Sequence, residues 1–263
     1  GSEMCIRDSL LAAVAVSALF LQTRRELMVD IQIRGEIWDN DSSEVLRWLG
    51  WRDLTCPNDI AKALEAAGGD EVTVLVNSPG GDLFSGAEIR SMLRRYNGRT
   101  EALIQGYAAS AATVAISACD VIRCESGGLC CYHNPVSTAE GDYRDMSGAS
   151  KSLKNARDTI LDAYLARPVC KTTREELAAL MDKDIFITPT QAKEYGLIDE
   201  IVTLEGVTEP EGDPAAFVAA AGRIRLTAAM REQYRRHVAE DREAAARDCE
   251  AKLSLIHISE PTR

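Results

Sequence analysis

Chemistry in this sequence concentrates in a few short segments. Asn77-Ser-Pro-Gly-Gly-Asp82 follows an apolar run and precedes a helical pattern. Adjacent glycines let the backbone turn tightly and aim N–H groups at an anion. The segment is not a phosphate loop, because it matches neither G-x-x-x-x-G-K-[ST] nor G-x-G-x-x-G. Gly106-Tyr-Ala-Ala-Ser110-Ala-Ala repeats the arrangement further along, with Ser110 at a helix start among very small residues. Such a serine is either an ordinary N-cap or a nucleophile whose oxyanion the helix dipole and nearby backbone N–H groups would hold. An activated serine needs a base, and His133 is the only histidine between Met28 and Arg236. The base in turn needs an orienting acid. Asp182 and Asp184 of Met181-Asp-Lys-Asp-Ile-Phe186 are the candidates, with solvation of a helix end as their ordinary alternative.

These residues need elements to position them. Asp30 to Ile37 alternates apolar and polar residues, which predicts a half-buried strand. Ile60, Ala63, Leu64 and Ala67 recur at helical spacing, and Gly68-Gly69 stops that helix. Val72 to Val76 reads as a strand covered on both faces, followed by a Gly-Gly turn and a helix near Ser85–Tyr96. Thr100 to Gly106 predicts another buried strand, with an Ala-rich helix from about Ser110. Strand and helix alternating in this way predict an α/β fold with a parallel sheet and crossover helices. Cys130 to Pro135 reads as a short strand ending in an Asn-Pro turn. A long helix is expected over 143–166, where Met146, Ala149, Leu153, Ala156, Ile160 and Ala163 form one apolar stripe able to pack a partner helix. Helices at Arg174–Met181 and Thr188–Tyr195 and a strand at Leu197–Val202 close the body.

Composition narrows the function. The 263 residues carry 30 Lys+Arg against 41 Asp+Glu, a net charge of −11 with 46% hydrophobic residues. That balance suits a globular core and argues against a nucleic-acid partner, which needs a basic footprint. Eight cysteines without a C-x-x-C pattern, and no second histidine near His133, predict buried free thiols in a reducing compartment and no metal site. The ends are atypical: residues 1–9 and 253–263 resemble translated sequencing-adapter strings. The apolar run Leu10–Leu21 is too short to span a bilayer, which takes about 20 residues, and lacks a cleavage site, so no membrane partner is expected and Met28 is the expected start. Residues 1–27 are therefore an uncertain N-terminal segment, 28–204 the main domain, and 205–252 a linker (Glu205–Pro214) with a thinly apolar helical tail.

In order and spacing, NSPGG (77–81), GYAAS (106–110), YHNP (132–135), DKDIF (182–186) and QAKEYGLIDEI (191–201) resemble the proteolytic subunit of the Clp protease family. MVDIQIRGEI, WLG and STAEGDYRDM are similar to its phage head-maturation branch. The resemblance implies a repeated β-β-α superhelix of the Clp/crotonase type, with 143–166 as the long "handle" helix. It implies a serine endopeptidase with Ser110 as nucleophile, His133 as base, Asp184 as orienting acid, and Gly81 and Ala111 as oxyanion-hole donors. It needs no metal or nucleotide cofactor. The implied partners are a polypeptide substrate, further copies in a homo-oligomeric ring, and capsid or scaffold precursors or an ATPase unfoldase, in the host cytoplasm or the prohead interior. The alternatives on the same fold are a catalytically inactive assembly part and a crotonase-type acyl-CoA enzyme, which stabilises an oxyanion without the Ser/His pair.

Overall fold

The computed structural model describes residues 29–203 and 227–258. Strand β1 (Val29–Ile37) buries Ile31, Ile33 and Ile37, as its alternation predicts. Helix α1 (Asn40–Trp48) and the short β2 (Leu54–Thr55) follow. Helix α2 (Pro57–Ala67) opens with Pro57, whose missing N–H costs nothing at a helix start. Gly68, in the left-handed region at φ 62°, ends it. Then come β3 (Val72–Gly81), α3 (Leu83–Arg95), β4 (Thr100–Ala109), α4 (Ala111–Ile116), β5 (Val121–Glu125) and β6 (Leu129–Cys131). The long α5 (Tyr143–Leu165) leads to α6 (Arg174–Lys183), β7 (Phe186–Ile187), α7 (Pro189–Glu194), β8 (Glu200–Val202) and α8 (Ala228–Ile258).

The sheet order β2-β1-β3-β4-β5-β8 is parallel throughout, as the crossover helices require. Strand β4 divides it. Its first half, Glu101–Ile104, pairs with β5, and its second half, Tyr107–Ala109, pairs with β6. The register of β4 on β3 slips between those halves, around Gly106. An added Cβ on Gly106 would lie 2.7 Å from Asn77 Oδ1 and would have to displace the Asn77 amide. Strand β6 therefore leaves the main path and carries β7 antiparallel on its far side. This is the mixed α/β architecture expected from the alternation of elements.

Some boundaries differ from the sequence expectation. Asn77–Gly81 is not a turn after a strand at 72–76; it continues β3, with Gly80 and Gly81 paired to Glu36 and Ile37 of β1. A bulge at Gly35 and the bond from Ser78 Oγ to Gly35 O (2.6 Å) accommodate this run, and no local pattern announces them. The stripe on α5 is also split. Ile160, Leu161, Ala163 and Tyr164 are buried in the chain's own core, whereas Met146 is 40% and Tyr143 81% exposed.

The described cysteines are free thiols; Cys56, Cys119, Cys124, Cys130 and Cys131 are buried and Cys170 is half-buried. A second compact unit joins Asp41–Arg52 to the C-terminal helix. Within it the Trp48 ring packs on Tyr234 and His237, Arg231 donates to Ser42 Oγ (3.0 Å) and Tyr234 OH to Glu44 (3.1 Å). The apolar run at 10–21 and the linker at 205–214 lie outside the described residues.

Candidate active site

Ser110 sits between β4 and α4 with φ 56° and ψ −128°. That backbone is uncommon for a residue with a Cβ and costs on the order of 1–3 kcal/mol, so the surroundings must impose it. They do so through backbone bonds. The Ser110 N–H donates to Cys131 O (3.1 Å), and its carbonyl accepts from Thr113 N (3.0 Å), Val114 N (3.3 Å) and Thr113 Oγ1 (2.7 Å). Thr113 Oγ1 is also 2.7 Å from the buried Tyr164 hydroxyl of α5. An N-cap serine has extended backbone and bonds its hydroxyl to the first helical turn. Ser110 does neither, which removes the capping explanation. Strain at a strand-to-helix turn that presents a serine hydroxyl is a recurring feature of serine hydrolases.

The glycine pair approaches this turn closely. A Cβ on Gly80 would lie 2.4 Å from Ala109 O, 2.7 Å from Ala111 N and 2.7 Å from Ser110 Cβ. Sequence reading singled out Gly81, but Gly80 is the residue whose missing side chain lets the two motifs meet. Gly81 (φ 148°) is constrained from the other side, where a Cβ would strike Ile37 O at 2.2 Å. Ala111 opens α4, so its N–H belongs to the first turn, which has no intrahelical acceptor. Replacing Gly80 with alanine is expected to lower stability by about 2–4 kcal/mol, from overpacking plus the left-handed penalty. The neighbouring atoms are backbone and Cβ and cannot swing aside. A urea melt with an unchanged midpoint would contradict this packing.

His133 lies two residues beyond Cys131, which pairs with Ala109 of β4. The imidazole is half-buried, and its Nδ1 is 2.7 Å from Asn134 O. The acids come from the far side of β6. Cys131 pairs with Phe186 and Cys130 with Ile187, so Asp184, two residues before β7, lies at the same end of this strand pair as His133, two residues after Cys131. Asp184 is exposed and takes the left-handed conformation (φ 49°) that ends α6. Its carboxylate is close enough to the site that, after burial, it is the next influence pushing the Cys131 thiol up to about 12. That thiol stays protonated at neutral pH and is no rival nucleophile. Asp182 points elsewhere: its Oδ1 accepts from Asn134 Nδ2 and from an Arg157 Nη, both at 2.8 Å.

The structure thus brings Ser110, Gly81, Ala111, His133 and Asp184 to one end of neighbouring strands. It does not join His133 to either carboxylate, because Nδ1 is taken by Asn134 O. Sequence reading missed Thr113, Tyr164, Asn134 and Arg157, whose roles depend on contacts 20 or more residues away in most cases. Among the described residues no group of three or more His, Cys, Asp or Glu could hold a metal ion, and no helix is long and apolar enough to cross a membrane.

Residues 58–205, more than half of the chain, match the family model "Clp protease". The chain belongs to the Clp protease family. It is 26% identical over 134 residues to an ATP-dependent Clp protease proteolytic subunit of Deinococcus radiodurans, covering 50% of this chain and 65% of that one. Against the subunit of Mesostigma viride it is 30% identical over 139 residues, or 49% and 56% of the two chains. Against the chloroplastic proteolytic subunit 3 of Arabidopsis thaliana it is 27% identical over 150 residues, or 54% and 47%. The matches span about half to two thirds of the length of these curated relatives.

Proposed function

We propose that this chain is a serine endopeptidase that cleaves scaffold and capsid precursors during phage head maturation. The observation that carries the peptidase reading is the strained Ser110, free of any capping bond and pressed against Gly80. Membership of a protease family supports it, and the wording of MVDIQIRGEI, WLG and STAEGDYRDM supports the phage branch. Ser110 Oγ attacks a peptide carbonyl, and His133 takes its proton and returns it to the leaving amine. The N–H groups of Gly81 and Ala111 hold the tetrahedral oxyanion, a contribution worth about 2.7–4 kcal/mol per donor in serine proteases. Asp184 orients His133 once Nδ1 turns from Asn134 O towards it, and the placement of both residues at one end of the β6–β7 pair supports this. The reaction calls on no metal or nucleotide. The direct test is hydrolysis of a fluorogenic peptide by the purified protein in the presence of chelator and without nucleotide, where no turnover would sink the reading.

A peptidase of this kind has to keep its sites from the host's proteins, and a ring with the sites inside does so. Helix α5 offers the surface: Tyr143 and Met146 are exposed and Leu153 is half-buried. Ile160 belongs to the subunit's own core, so charging it would unfold the protein and test nothing. Charging Met146 and Leu153 together (M146K, L153K) is expected to break a large assembly into smaller species while leaving the fold intact. Light scattering checks this, and a monomeric unaltered protein would contradict the ring.

A further inference from the structure

One peptide group joins the strained serine to the oxyanion donor. The carbonyl of the Ser110–Ala111 unit belongs to Ser110, and its N–H is the Ala111 donor of the proposed chemistry. The bond is trans, and a trans peptide is a rigid plane whose C=O and N–H point in opposite directions. Whatever fixes the carbonyl therefore aims the N–H. Two backbone N–H groups, of Thr113 (3.0 Å) and Val114 (3.3 Å), already satisfy that carbonyl. The Thr113 hydroxyl adds a third and shorter bond at 2.7 Å. A hydroxyl has one hydrogen, and here it goes to an oxygen that can only accept. The Tyr164 hydroxyl, 2.7 Å from Thr113 Oγ1, is then the donor in that contact. Burial raises the Tyr164 phenol above its ordinary value, so it stays protonated and keeps donating. We propose that the Thr113 hydroxyl, held by Tyr164, is a positioning group that aims the Ala111 N–H at the oxyanion.

Three observations favour this over an ordinary bond at a helix start. A threonine hydroxyl often bonds a carbonyl one turn back, but such a bond needs no second donor behind it. Thr113 and Tyr164 are 2% and 3% exposed, and their contact joins positions 51 residues apart. Bonds running in one direction from Tyr164 through Thr113 to the carbonyl polarise the peptide, which strengthens its N–H as a donor. The Ala111 nitrogen also borders the space that Gly80 leaves open, 2.7 Å from where a Cβ would stand. Finally, Ser110 at φ 56° holds a conformation that persists only where its surroundings impose it. Thr113 touches no reacting atom, so it is a positioning residue.

The proposal rests on the serine-peptidase reading, and the test separates the two. T113V keeps the shape and removes the hydroxyl, T113S keeps the hydroxyl, and Y164F keeps the ring against Tyr132. T113V is expected to lower kcat for a fluorogenic peptide about ten- to a hundredfold with KM within about twofold, less than the loss of a whole oxyanion donor. Y164F should lose about two- to tenfold, the worth of one hydrogen bond, because Thr113 still donates to the carbonyl. T113S should stay within about threefold of the unaltered protein, since it keeps both donor and acceptor. Independently of activity, protein labelled with 13C-carbonyl serine and 15N-alanine reports this peptide directly. The sequence has three Ser-Ala pairs, and S110A identifies the cross-peak by removing it. That cross-peak should move in T113V and keep its place in T113S. An unmoved cross-peak in T113V, or a T113S variant as impaired as T113V, would overturn the proposal. If T113V does not fold, an unmoved cross-peak in Y164F overturns it instead. Absence of turnover in the unaltered protein would remove the peptidase reading and leave the cross-peak to decide whether Thr113 sets the peptide.

Discussion

Replacing Ser110 with alanine is expected to abolish peptidase activity, a loss on the order of a million-fold in kcat, without unfolding the chain. The size follows from the role: in a triad enzyme no neighbouring group replaces the nucleophile. The stability expectation follows from the backbone. The bonds that fix this turn run through the Ser110 N–H and carbonyl to Cys131, Thr113 and Val114, and alanine keeps them all. The side chain makes no capping bond that could be lost. Alanine meets the same positive-φ cost as serine, so the two melting temperatures should agree within about 1 °C, equivalent to a few tenths of a kcal/mol. Kinetic assay of S110A checks this, and retention of more than a few per cent of activity would remove Ser110 from the mechanism.

The second large effect separates two aspartates that stand two positions apart. Asp184→Asn is expected to cost roughly 10⁴-fold in kcat, because a carboxylate that holds the base in its working tautomer has that value in a Ser-His-Asp enzyme. Asp182→Asn should cost less than about tenfold, since an amide oxygen there can still accept from Asn134 and the residue orients no catalytic atom directly. The structure argues for this ranking, as Asp184 stands two residues before Phe186, the partner of Cys131, whereas the Asp182 carboxylate is bonded to Asn134 and Arg157. The conformation described here has Nδ1 on Asn134 O. The Asp184 variant therefore also asks whether the ring leaves that carbonyl during turnover. Equal, mild losses in both variants would mean that the Asn134 carbonyl orients the base throughout. The reverse ranking would show that the register through Asp182–Phe186 has been misread.

Much of this is legible in the sequence alone. Strand β1, helix α2 and the C-terminal half of α5 have strong periodicity and clear stops, and local pattern decides such elements. Ser110 and His133 stood out because small residues surround the first and no other histidine is near the second. What was not legible depends on long-range pairing. Strands β2 and β7 have two residues each and exist only because β1 and β6 lie beside them. The Asn77–Gly81 segment carries turn residues, yet it is strand, because Ser78 and the bulge at Gly35 tie it to β1. The node at Asp182 joins positions 134 and 157, and no spacing in the sequence relates them.

The central claim is that Ser110 is an activated nucleophile. Reaction of the purified protein with a fluorophosphonate, followed by peptide mapping, tests it most directly, because only a serine with a working base and oxyanion site reacts appreciably. The account predicts a single phosphonylated residue at Ser110, and loss of labelling when His133 is replaced with alanine. An adduct on another residue, or no adduct on folded protein, would contradict it.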